Sequence, residues 1–432
     1  MQSNKCRLSE QFFVPKAPPV TTNCLQRQAL GKGTQHTMTE DSQHGFRIFI
    51  LGAGFSVPAG LPLASDLYKL VKTKIEDAHG TDTKFHSSLQ EYIDYRKECD
   101  NVELSEDDVN LEEFMSYLDV EHFLGLQGSD TLTEEGNGAQ LLIKQFIGKV
   151  IHEKTPSGDE LPQQYYDFVN GLTVNDIVIS LNYDLILESA LEHVGLPYRL
   201  FSYRYSSIGS TSNTVDNSKK ELVVLKLHGS LDWFSNKSYL SGLKVFKAQG
   251  LEGGPNDPIF NNRNGDLYQP YPLIDGPRSK DDPLLFIHRI KNVDEFYAQT
   301  MPPGLSVPMI LSPSHMKIVY ATPFMEFWNG LGQAGSYNLG VSIIGFSLPE
   351  HDDYIKISLY KMIGNYQRSW WDELLLDTLK DNVKVIDYKE SDTEIEEFKL
   401  RYSFIAEAKA EYYFDGFNSN SVTMLYDNKR VT

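Results

Sequence analysis

From about residue 46 to residue 390 the chain repeats one arrangement: a short, largely apolar run, a few small or polar residues, then a longer stretch with apolar residues three and four apart. The runs are Ile48-Phe49-Ile50-Leu51, Ile177-Val178-Ile179, Leu222-Val223-Val224-Leu225, the segment 340–346, and Val383-Lys384-Val385-Ile386, which reads as the last strand. Strands apolar throughout fit a parallel sheet covered on both faces; a sheet with one wet face would alternate. Helical spacing begins near Ser65-Asp66, returns over Leu185 to Val194 with Gly195 closing it, and again over Tyr354 to Ile363. A further helix holds Phe324, Phe327 and Trp328, after a strand-like Met309-Ile310-Leu311. Alternation of such strands and helices predicts an α/β fold, a doubly wound parallel sheet.

Departures from the pattern divide the chain. Residues 1–44 are polar, hold Pro15, Pro18 and Pro19 without a period, and read as an extension, either disordered or an assembly arm. The stretch from about 85 to 170 is helical, with Leu111, Phe114, Met115 and Leu118 on one face and Leu141, Leu142, Phe146, Val150 and Ile151 on another. It is a helical insertion subdomain, and either a lid over a cleft or plain packing accounts for its apolar faces. Residues 203–220 are serine-rich and 249–283 rich in glycine and proline, so both read as loops, the second within a loop-rich insertion at about 235–300. The tail 391–432 carries Phe398, Tyr402, Phe404, Tyr412, Tyr413, Phe414 and Phe417, read as a terminal helix that docks on the core or forms an oligomer contact.

Three of the apolar runs end in residues that carry chemistry. The first enters Gly52-Ala53-Gly54-Phe55-Ser56, where two residues without a Cβ allow a tight turn and a close backbone approach to a pyrophosphate at a helix start. The usual GxGxxG needs glycine where Val57 stands, so a tight turn of any α/β protein is the competing reading. The second ends in Asn182-Tyr183-Asp184, delivering an amide and a carboxylate to a carboxyl edge, where open α/β sheets bind ligands. Capping of the next helix by Asp184 explains the same residues equally well. The third ends in His228-Gly229-Ser230, an imidazole fit for a general base near pH 7 or simply a hydrogen-bonded turn residue.

Taken in order, GAGFS, the AGLP of Ala59 to Pro62, NYD, and KLHGS with Trp233 close behind resemble the Sir2 (sirtuin) superfamily, and more narrowly the SIR2-like proteins of bacterial antiviral defence. A fourth segment, Gly345-Phe346-Ser347-Leu348-Pro349 with Asp352 and Asp353 following, matches that branch's late strand and turn. The resemblance spans about residues 46 to 390 and implies a Rossmann-like catalytic domain over 45–390. It implies NAD as substrate, with Gly52, Ala53, Gly54, Ser56, Gly345 and Ser347 lining its phosphates and ribose. Asp184 would contact the nicotinamide amide, Asn182 would orient the ribose and a water, and His228 would be the general base or bond the ribose hydroxyls. Cleaving the nicotinamide–ribose bond passes through an oxocarbenium-like state that positioned polar groups and one base can serve without a metal.

Protein-deacetylating sirtuins mostly carry a zinc ribbon with paired CxxC motifs. This chain has three cysteines, Cys6, Cys24 and Cys99, far apart and with no CxxC, so no zinc is expected. That favours an NAD glycohydrolase that depletes NAD in antiphage defence (abortive infection) over a protein deacylase or ADP-ribosyltransferase. A non-catalytic NAD-binding sensor or assembly subunit is the third reading. The branch also implies a homo-oligomer and a partner ATPase or phage-sensing protein.

Charge narrows the partners. With 40 basic and 59 acidic residues the net charge is −19, which argues against direct nucleic-acid binding. Scattered, odd-numbered cysteines and an N-terminus without an apolar core fit a cytoplasmic protein, and the apolar stretch at 48–64 is too broken by glycine and proline to be a membrane span.

Overall fold

The computed structural model describes residues 46–431 apart from 132–134, 203–204, 209–212, 216–218, 262–266, 277, 280, 300–305 and 350. The extension 1–44 lies outside the described residues.

Seven strands form one parallel sheet: β1 (Arg47–Leu51), β2 (Ile177–Ser180), β3 (Tyr198–Leu200), β4 (Leu222–Lys226), β5 (Gly340–Ile344), β6 (Val383–Ile386) and β7 (Ala410–Tyr413). Their order is β7-β6-β5-β1-β2-β4-β3, and every pairing is parallel. The chain lays strands outward from β1 on one side and then returns to build the other, so the order reverses between β1 and β5. In open α/β sheets such a reversal opens a crevice at the carboxyl ends. β5 is buried along its whole length and β1 at four of its five positions, as the unbroken apolar runs require.

Register aligns the ends that matter. Leu51 pairs with Ile344 on one side and Ser180 on the other, and Ser180 pairs with Lys226. Four central strands therefore finish level, and Gly52, Asn182, His228 and Gly345 follow within two residues of those ends. At the opposite edge Arg47 clamps β1 to the residue before β2, its backbone N–H and Nε donating to Asp176 at 3.0 and 3.1 Å.

Helices α1 (Ala64–His79), α2 (Lys84–Asp100), α3 (Leu111–Leu124) and α4 (Gly138–Lys154) pack together as a helical layer between β1 and β2, followed by α5 (Gln163–Asn170). Their starts are set by side chains: the Asn110 carboxamide accepts from the N–H groups of Glu112 and Glu113, and Asn137 with Gln140 forms a reciprocal capping box on α4. The face Leu111, Phe114, Met115 and Leu118 is buried against this layer. α6 (Ile186–Val194) follows β2 and stops at Gly195, whose φ of +78° ends the helix in the left-handed conformation glycine tolerates.

Several sequence expectations need correction. The segment 203–220 is not wholly loop: Tyr205–Ile208 pairs with Asn213–Val215 in an antiparallel ribbon. Main-chain hydrogen bonds make that ribbon, and polar composition does not reveal them. The insertion at 235–300 contains helix α7 (Lys237–Ala248) and a small antiparallel sheet of Trp233–Ser235, Ile287–Arg289 and Tyr271–Pro272. Val383–Ile386 is not the last strand, because β7 adds one more at the edge. The tail is accordingly helix α10 (Asp392–Arg401), strand β7 and helix α11 (Ser419–Tyr426), not one helix. Its aromatics pack inward: Phe417 lies 4.7 Å from the Phe55 ring, and Tyr426 packs at a tilt against Phe49 and Phe168, 6.0 and 6.4 Å between ring centres. No helix among the described residues is long and apolar enough to cross a membrane.

Candidate functional site

The turn after β1 is built by contact with the turn after β5. Gly52 N–H donates to the Ile344 carbonyl at 2.9 Å and Gly54 N–H to the Gly345 carbonyl at 2.8 Å. A Cβ on Gly52 would come within 2.6 Å of the Gly345 oxygen, and one on Gly54 within 2.8 Å of the Gly345 Cα. Real side chains do not approach so closely, so the first duty of both glycines is to let two strand ends touch. Two 3₁₀ turns, Ala53–Phe55 and Val57–Ala59, follow, and α1 begins only at Ala64. The helix start expected near Ser65-Asp66 is thus found at Ala64, and the glycine turn opens not directly into that helix but into two 3₁₀ turns, with Pro58 and Pro62 in the segment between. Phe55 anchors the turn, its ring edge-on to Tyr165 and its carbonyl accepting from the Tyr165 hydroxyl at 2.7 Å.

Ser56, Asn182 and Asp184 form one hydrogen-bonded chain. Asn182 Nδ2 donates to the Gly52 carbonyl at 2.9 Å and to Ser56 Oγ at 3.1 Å, and the Ser56 hydroxyl donates to Asp184 Oδ2 at 2.7 Å. Asp184 Oδ1 accepts from the Ile186 N–H at 3.0 Å, the helix-start role foreseen as the competing reading. Both Asp184 oxygens thus hold internal hydrogen bonds that order the site, and the residue is 7% exposed. Asn182 spends both its hydrogens, while its Oδ1 has no hydrogen-bond partner among the described residues.

His228 lies two positions past the Ser180–Lys226 pair, beside Asn182 on the neighbouring strand end. It is 5% exposed, and its Nε2 sits 2.7 Å from the Tyr354 hydroxyl. The neighbouring Leu181 carbonyl can only accept, which favours the ring N–H on Nδ1 with Nε2 taking the Tyr354 proton. Burial first, and then the charge of Lys317, pushes the imidazole pKa down to about 3. Lys317 is held by Glu112 of α3 at 2.8 Å and Asp352 at 3.0 Å, and these partners keep it charged against the cost of burial. Trp328 stands edge-on to Tyr354, 5.1 Å between ring centres, and its buried indole Nε1 has no hydrogen-bond partner among the described residues.

The depressed imidazole has a thermodynamic consequence. Its folded-state pKa lies below the ordinary 6.5, so between those values the unfolded chain binds a proton that the folded chain refuses. Stability falls as pH drops through that window, by about 1.4 kcal/mol per pH unit. Urea midpoints at pH 7.5 and 5.5 check this: the drop is expected to be about 1.4 kcal/mol smaller in His228→Gln than in the wild type.

The structure thus gathers Gly52, Gly54, Ser56, Asn182, Asp184, His228 and Gly345 at one carboxyl edge. Ala53 and Ser347 are exposed at that edge and take no part in the buried network. Tyr354, Trp328 and Lys317 are site neighbours that sequence reasoning did not single out. A groove of about 410 Å³ runs instead along α7 against Phe286 and contains none of these residues. Among the described residues no group of three or more His, Cys, Asp or Glu is arranged to hold a metal ion. Cys6 and Cys24 lie outside the described residues.

No family model and no curated protein matches the chain. Solved structures do match. They include "Structure of Sir2Tm bound to a propionylated peptide" at 12% identity, covering 90% of this chain and 94% of that chain with a TM-score of 0.27. They also include "Structural Basis for the Mechanism and Regulation of Sir2 Enzymes" at 11% identity, with the same coverage and a TM-score of 0.29. A third, "Sir2-p53 peptide-NAD+", is 11% identical with the same coverage and a TM-score of 0.26. The α/β assignment rests on the strand pairings themselves.

Proposed function

We propose that this chain is an NAD glycohydrolase, cleaving the nicotinamide–ribose bond to release nicotinamide and ADP-ribose. One observation carries the reading. The ordered Sir2-like segments, scattered over some three hundred residues, meet at one carboxyl edge: the two glycine turns flank the reversal of strand order between β1 and β5, where α/β sheets take nucleotides, and Asn182 and His228 follow the neighbouring strands β2 and β4. Two polar atoms there suit a ligand that makes hydrogen bonds: Asn182 Oδ1 and Trp328 Nε1 both lack partners among the described residues. Gly345, Ser347 and Ala53 would border the ribose and phosphates, Ser56 and Asp184 would fix the Asn182 amide, and neutral His228 would accept a proton from a sugar hydroxyl or water.

In a cell this reaction would drain NAD, which agrees with the antiphage role and cytoplasmic location that the motif resemblance implies. The same resemblance is the basis for expecting a homo-oligomer and a partner ATPase or phage sensor.

The test is incubation of purified protein with NAD and chromatography of the products. Nicotinamide and ADP-ribose are expected without any acyl-lysine peptide. Turnover seen only when such a peptide is supplied would make the chain a deacylase. Asn182→Ala and His228→Ala are each expected to lower turnover by about a hundredfold or more with the fold retained, the usual loss for a positioned acid–base group. Near-full turnover in both would remove those roles.

A further inference from the structure

We propose that Tyr354 is a positioning residue for His228: its hydroxyl, seated on Nε2, holds the imidazole neutral, in place and in the Nδ1–H tautomer. The contact is built rather than incidental. Tyr354 lies in the first turn of α9 (Asp353–Arg368), directly after the β5 turn that carries Gly345. Its ring is set edge-on by Trp328, and the start of the helix is fixed by Asp352, which takes the Lys317 ammonium at 3.0 Å. Its backbone carbonyl accepts from Ser358 at 2.8 Å.

The other groups facing His228 leave this role to Tyr354. From the end of β2, Tyr183 gives its hydroxyl proton to the Leu311 carbonyl at 2.8 Å, and the Leu181 carbonyl can only accept. Lys317 repels a protonated ring, while the carboxylates of Glu112 and Asp352 are engaged by that lysine. On the histidine's own strand Lys226 is paired with Glu188. Tyr354 is the one hydroxyl donor recorded on Nε2 among the described residues. Burial raises its own pKa well above the ordinary value, so the hydroxyl stays protonated and donates. It is half-buried where His228 is almost wholly covered.

The catalytic part of this inference rests on the NAD-cleaving reading, whereas the state of the ring does not. Long-range ¹H–¹⁵N spectra of His228 in the unliganded protein at pH 7 are expected to show the Nδ1–H tautomer, with the bare Nε2 resonance displaced by an accepted hydrogen bond. Tyr354→Phe should return that resonance to the value of a free acceptor and raise the protonation midpoint by about one pH unit, the worth of one net hydrogen bond. With NAD, kcat is expected to fall about tenfold while KM stays within about twofold, the split that marks loss of positioning. A wild-type ring protonated on Nε2 overturns the proposal without any variant. So does an Nε2 resonance unchanged by Tyr354→Phe, or a rise in kcat, which would make the contact a block. If the wild type never cleaves NAD, the functional reading fails while the nitrogen resonances still decide the Tyr354–His228 contact.

Discussion

Gly345→Ala is expected to cost about 2–5 kcal/mol of folding stability, a large share of the roughly 5–15 kcal/mol that holds a domain. Two effects add. Gly345 has φ of +64°, a conformation that costs an L-residue about 1–2 kcal/mol. Its new Cβ would also lie 2.2 Å from the Phe55 nitrogen and 2.3 Å from the Gly54 carbonyl carbon, and overpacking of this kind costs about 1–3 kcal/mol. Those neighbours are backbone, so nothing flexible can move aside. Gly60→Ala is the comparison, because φ there is +93° but a Cβ would meet nothing within 4 Å. It carries the conformational cost alone. Urea unfolding of both variants gives the answer, and equal midpoints would show that the two turns do not pack as described.

The second large effect concerns charge. Lys226, at the end of β4 and wholly buried, pairs with Glu188 of α6 at 2.8 Å and donates to the Asp184 carbonyl. Lys226→Met would strand a buried carboxylate and is expected to cost about 3–5 kcal/mol. The double change Lys226→Met/Glu188→Leu should recover most of that, since two apolar side chains need no partner there. Acid should partly rescue the single variant. Burial already raises the Glu188 pKa, so the folded state favours its protonated form, and the stability deficit grows as pH climbs above the ordinary carboxylate value. Urea midpoints at pH 5 and pH 8 for the four proteins of the cycle measure this. A single variant equally stable at both would place the Glu188 carboxylate in water.

How much was legible in the sequence depended on burial. β1, β2, β4, β5 and β6 could be read because strands covered on both faces are apolar at nearly every position. β7, with sequence AEYY, and β3, with YRL, sit at the sheet edges and are largely half-exposed, so neither carries the apolar run that marks a buried strand. The site was legible where it lies at strand ends, as with Gly52, Asn182, His228 and Gly345. Tyr354, Trp328 and Lys317 reach His228 from elements about ninety residues or more further along the chain. No local spacing links them to it, because only the folded sheet brings them near. Asp184 shows the converse: its position was foreseen, but hydrogen bonding gave it to the start of α6 and to Ser56.

The rings of Phe417 and Tyr426, packed behind Phe55 and Phe49, come from positions more than 360 residues further along the chain. A nascent polypeptide paused on the ribosome before that point has its glycine turn but no wall at its back. The crevice is therefore completed only after translation has passed Tyr426, and a shorter nascent chain holds its glycine turn without that support.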